Sequence, residues 1–138
     1  MSLTRRKERE IVFSLLFAAR FQPGEDPEAL LDALLDSCEE EEEARQSAYI
    51  RETFLGAAAF REEADSLVAS VAVGWRPERL SRTVSTVLTL ALYEMKKSEN
   101  VPERVAINEA VELANSFGED GAGKFVNGVL GSLAEKQA

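Results

Sequence analysis

Four cations stand within the first ten residues: Arg5, Arg6, Lys7 and Arg9, against Glu8 and Glu10. Clustered guanidinium and ammonium groups do one kind of chemistry well, which is pairing with phosphate or carboxylate oxygens. The formal net charge of -9 argues at first against a polyanionic partner, but the distribution matters more than the sum. Residues 1–10 carry a net +2, so the rest of the chain holds -11. Phe21–Ala44 contains ten acidic side chains and no basic one. One end is therefore basic and one flank strongly acidic. Thr4 can cap a helix beginning at Arg5, which puts the cations beside the positive end of the helix dipole, an unfavourable place. A functional demand would explain that local cost. The ordinary alternative is that terminal Lys and Arg only solubilise.

Other residue groups exclude more than they suggest. The 138 residues include no histidine, which removes Ser-His-Asp and Cys-His nucleophile pairs, histidine bases and histidine metal ligands together. Cys38 is alone, so no intramolecular disulfide forms, as suits a reducing cytosol. The apolar run Ile11–Ala19 is too short to span a bilayer, and no cleavage site follows it. A soluble, cytoplasmic protein is expected. No glycine spacing matches a phosphate loop, and no cofactor or metal is expected. Phe13, Phe17 and Phe21 recur every fourth residue, and such a ladder reads as core before it reads as a binding platform. Glu39–Glu43, five glutamates in a row, reads as a solvated linker before a cation site. Glu94 should be partly buried with a polar partner.

These groups must be positioned by helices, because no long stretch alternates apolar with polar residues. The first helix runs from Arg5 to about Arg20, with Ile11, Val12, Leu15, Leu16 and Ala19 inward. Gln22-Pro-Gly-Glu breaks it. Asp26-Pro27 starts a second helix to about Ser37, with Ala29, Leu30, Ala33 and Leu34 as its main stripe. The third begins near Ala44 and could continue to Val73; Gly56 and Phe60-Arg61 suggest a break, leaving a third helix to about Ala59 and a fourth on Ala64–Ala72. Trp75 should pack at the following corner. Ser81 caps a fifth helix, about Arg82 to Lys97, apolar on most sides and so central. Pro102 opens a sixth, with Ala106, Ile107, Ala110, Val111, Leu113, Ala114 and Phe117 inward. Gly118 ends it with the positive φ that such ends favour. A seventh carries Phe125, Val126, Val129, Leu130 and Leu133. The chain should be a single all-α domain.

Several runs together resemble the NusB family of bacterial transcription antitermination factors: Arg5-Arg-Lys-Glu-Arg-Glu10 leading to Leu16-Phe17, Trp75 with Glu78-Arg-Leu80, Leu90-Ala-Leu-Tyr-Glu94, Ala106-Ile-Asn-Glu-Ala-Val-Glu-Leu-Ala114 and Lys124-Phe-Val-Asn-Gly-Val-Leu130. The resemblance implies a seven-helix bundle, three helices in an N-terminal half packed on four in a C-terminal half. It implies binding of the boxA element of nascent ribosomal RNA transcripts, single-stranded, together with NusE, a small-subunit ribosomal protein, inside the RNA polymerase antitermination complex. It also implies that no reaction is catalysed. Its RNA-binding residues map to Arg5, Arg6, Lys7, Arg9, Phe17, Lys124 and Phe125. A cation with an aromatic beside it suits phosphate pairing plus base stacking, although Phe125 also falls on the core stripe. Glu8 departs from a common alanine, and Thr89 stands where arginine is frequent. The contrasting reading is a helical protein–protein adaptor without RNA binding; either form could be a monomer or a homodimer.

Overall fold

A computed structural model describes residues 3–72 and 81–136, and Trp75 with its corner lies outside them. Among the described residues there are seven helices and no strand: α1 (Arg5–Ala19), α2 (Pro27–Leu35), α3 (Glu41–Arg45), α4 (Ala48–Val71), α5 (Arg82–Lys97), α6 (Glu103–Phe117) and α7 (Ala122–Lys136). They fall into two compact units, Met1–Ala59 and Phe60–Ala138.

The first unit holds α1, α2, α3 and the first half of α4. Thr4 caps α1 by accepting from the Lys7 amide at 3.1 Å, and Asp26 caps α2 by accepting from the Ala29 amide at 3.0 Å. Between these helices Gly24 takes a φ of +87°, which a residue with a Cβ adopts only with strain. The buried face of α2 is Leu30, Leu31 and Leu35, while Ala29 and Ala33 are exposed. The stripe is thus rotated from the expected one, because leucines remove far more apolar area from water than alanines.

The glutamate run is not simply a linker, since α3 starts inside it. Glu41, Glu42 and Glu43 occupy the first turn of α3, where negative charge is favoured by the helix dipole. Arg45 closes the turn. It donates from Nε to Glu41 at 2.9 Å, from Nη1 to Asp32 at 2.6 Å and from Nη2 to Asp36 at 2.6 Å. The hydrogen bonds to Glu41 and then Asp32 hold its proton still more firmly than an ordinary guanidinium. One arginine thereby ties the acidic edges of α2 and α3 together.

The expected break near Phe60 is absent, and α4 runs unbroken for 24 residues. Ile50, Phe54, Ala57, Phe60, Ala64 and Val68 are all buried. Their steps of three and four continue one stripe straight past Gly56, whose cost of about 1 kcal/mol that packing outweighs. Seven helices were expected and seven are found, but the seventh comes from α3, and the two helices drawn on Ala44–Ala72 are one.

In the second unit α5, α6 and α7 pack on one another, and Phe60 of α4 meets Tyr93 of α5 edge-on at 6.4 Å. Ser81 caps α5 by accepting from the Val84 amide at 3.1 Å. Val84 to Leu92 are buried without exception, as a central helix requires. Glu94 is buried too and is not without a partner. Thr89 is buried and donates to the Ser85 carbonyl at 3.0 Å, so α5 presents no cation there. Gly118 does not have the positive φ expected of it: its φ is -98°. That conformation belongs to Gly121, at +89°. Gly118 is required by crowding instead, because a Cβ would sit 2.7 Å from the Ala114 carbonyl oxygen and 2.8 Å from the Ala122 Cβ.

Candidate nucleic-acid interface

Arg5, Arg6 and Lys7 occupy the first turn of α1, and all three are exposed. Their surroundings differ. Arg5 donates from Nε to Glu8 at 3.0 Å and lies with its guanidinium carbon 4.1 Å from the centre of the Tyr49 ring. Lys7 pairs with Glu40 at 3.4 Å. In both pairs the cation faces water, although the Glu8 carboxylate is largely covered, and exposed contacts of this kind are worth about 0–1 kcal/mol and are screened by salt. A phosphate can therefore displace or join them. Arg9 is different: it is only 5% exposed and lies 5.7 Å from the centre of the same Tyr49 ring. The structure does not present Arg9 as a surface cation beside Arg6 and Lys7. It sits three and four residues before the buried Val12 and Phe13, on the inward face.

Glu8 has a structural task in this basic turn. One carboxylate oxygen holds Arg5, and the other accepts from the Ser47 hydroxyl. Ser47 in turn accepts from the Ile50 amide at 3.0 Å, at the start of α4. The start of α1 is thus fastened to the start of α4 through one carboxylate.

Phe17 lies about 16 Å along the helix from Arg6, eleven residues at the α-helical rise. It is half-buried, between Phe13 at 6.2 Å and Phe21 at 5.5 Å. The ladder grades outward from buried Phe13 to Phe21, which is 54% exposed. It is therefore core at one end and open surface at the other. Phe21 is a candidate stacking face that its spacing alone did not single out.

In the second unit Lys124 and Phe125 stand in the first turn of α7, and both are exposed. Phe125 is 36% exposed, whereas Ala122, Val126, Val129, Leu130 and Leu133 are buried. Phe125 accordingly lies outside the core stripe on which it was placed. Phe117, expected inward at the end of α6, is also exposed. The tip of the α6–α7 hairpin therefore offers one cation and two aromatic surfaces. Its compactness depends on Gly118 and on Gly123, where a Cβ would run into the Asn115 side chain.

Phosphate pairing and base stacking are what these groups can do. Among the described residues no group of Cys, Asp and Glu is arranged to hold a metal ion, and no described helix is long and apolar enough to cross a membrane.

Comparison with known proteins gives a consistent result. The chain is 39% identical to the transcription antitermination protein NusB of Symbiobacterium thermophilum, over 95% of this chain and 89% of that protein. It is 40% identical to the NusB of Limosilactobacillus fermentum, over 96% and 94%. Among solved structures, T. maritima NusB matches with a TM-score of 0.82 and 33% identity, over 99% of this chain and 94% of that one. The same fold occurs in the crystal structure of the antitermination factors NusB and NusE in complex with double-stranded RNA, with a TM-score of 0.77, 22% identity and 96% coverage of both chains. The NusB family model matches residues 6–135, across both units, and the chain belongs to the NusB family.

Proposed function

We propose that this chain is a transcription antitermination factor: it binds the boxA element of nascent ribosomal RNA transcripts together with NusE and helps RNA polymerase read through terminators. The observation that carries this reading is the exposed cationic first turn of α1 on an otherwise anionic chain, within a sequence that matches its relatives nearly end to end. Arg5, Arg6 and Lys7 would pair with phosphates, and Lys124 would add another cation. Phe17 and Phe125 would stack on unpaired bases. Arg9 would act from beneath, by supporting that turn. Residues 1–138 would work as one RNA-binding domain, in the cytoplasm, by binding and not by catalysis.

The net charge of -9 should keep affinity for RNA low when the protein is alone, so NusE is expected to matter. A relative of the same fold is known in complex with NusE and RNA, which supports that partnership. The test is a mobility shift with a single-stranded boxA-like RNA and its duplex form, each with and without NusE. Three or four phosphate contacts should give a salt dependence with a slope of roughly -2 to -3 for a single strand. A slope near zero, or no shift even with NusE present, would favour the adaptor reading, to which the Arg5–Glu8 and Lys7–Glu40 pairs lend some weight.

A further inference from the structure

The side chain of Arg5 is 56% exposed, yet it is held on two sides. Beneath it lies the ring of Tyr49, 4.1 Å from the guanidinium carbon. Beside it, Glu8 takes the Nε–H and is itself held by Ser47. Ser47 and Tyr49 are two residues apart at the start of α4. We propose that Tyr49 is a positioning residue for RNA binding: its ring, 4.1 Å beneath the guanidinium carbon, holds Arg5 in place and ready for a backbone phosphate. This rests on the reading of the α1 start as an RNA-binding element.

The physical reason is pre-organisation. A free arginine at a helix start samples many rotamers and loses that freedom when it grips a phosphate. A planar guanidinium laid on an aromatic face keeps its N–H donors in its own plane, pointing past the ring edge. Glu8 uses the Nε–H in its bond, and the two terminal NH2 groups are not part of it. The ring face is electron-rich and so favours the cation that lies on it. Arg9, buried with its guanidinium carbon 5.7 Å from the centre of the same ring, is a second cation against the tyrosine. Tyr49 would not touch the RNA; it would set where Arg5 meets it.

A double-mutant cycle on the full chain, read by affinity for a single-stranded boxA-like RNA in the presence of NusE, tests this. Tyr49→Leu should weaken binding by about two- to fivefold, the range expected for an exposed cation–π contact. Tyr49→Phe, which keeps the ring, should bind like the parent. In an Arg5→Ala background, Tyr49→Leu should change nothing further. Equal weakening in both backgrounds, or none in either, overturns the proposal. If Arg5→Ala alone leaves binding unchanged, the role of Tyr49 is overturned; the RNA-binding reading of α1 falls as well only if reversing Arg6 and Lys7 to glutamate also leaves binding unchanged. Should Tyr49→Leu not fold, proton NMR of the parent decides. The Arg5 side-chain protons should be ring-shifted upfield and stay so on adding RNA; loss of that shift on binding would overturn the proposal.

Discussion

The starts of α1 and α7 both offer cations next to aromatic rings, but they are built in different ways. At α1 the charges are held by other side chains: Glu8 engages Arg5, Tyr49 lies against both Arg5 and Arg9, Glu40 pairs with Lys7, and Ser47 anchors Glu8. At α7 the surface is set by close packing, because a Cβ at Gly118 would meet the Ala114 carbonyl and the Ala122 Cβ, and one at Gly123 would meet the Asn115 side chain. The first arrangement can be retuned one charge at a time. The second tolerates almost no added volume. Electrostatic changes should therefore act at α1 with little effect on stability, and steric changes at the α6–α7 turn should do the reverse.

The sharpest way to break that contrast is to reverse Arg6 and Lys7 together to glutamate. RNA affinity should fall by about a hundredfold, since two phosphate pairings become repulsions, while helicity and melting temperature stay at parent values. Circular dichroism and a mobility shift measure the two halves of that statement. Gly118→Ala should come next, costing about 1–3 kcal/mol of stability through overcrowding. Thermal melting should show a drop of several degrees, and a melting temperature equal to the parent's would show that the turn relaxes freely. Phe125→Ala should leave stability nearly unchanged but weaken RNA binding by about tenfold, toward the lower end of the range for one stacked base. If it instead lowers the melting point and spares binding, Phe125 is a packing residue. The smallest effect expected is that of Glu40→Gln, which frees Lys7 from its exposed pair. Affinity for RNA should rise by about twofold, and a fall would mean that Glu40 supports the site.

Much of this architecture was legible in the sequence. Thr4, Asp26-Pro27 and Ser81 marked helix starts by local chemistry, which needs no tertiary knowledge. The centrality of α5 followed from apolar residues on most of its faces. Where the reading failed, the deciding contact came from elsewhere in the chain. The turn of α3 is fixed by Arg45 reaching back to Asp32 and Asp36, which no window around the glutamates contains. The role of Tyr49 was not legible, because its two arginine neighbours lie some forty residues away. The burial of Arg9 could have been seen, since its spacing from Val12 and Phe13 puts it on the inward face. The charge of the residue obscured its position. The continuity of α4 was visible in the same way, in a stripe that passes Gly56 without interruption.

The contact between Lys7 and Glu40 brings the acidic run to the edge of the basic turn. A polyanion approaching α1 is therefore repelled by nearby carboxylates before it reaches a cation. Encounter with RNA should be slow in dilute buffer and should quicken as counterions shorten the reach of that repulsion. Added ions should also hasten escape, because they weaken the phosphate pairs once formed. Arrival and departure rates would then rise together as ions are added, departure the more steeply, so that the complex becomes shorter-lived while its traffic increases.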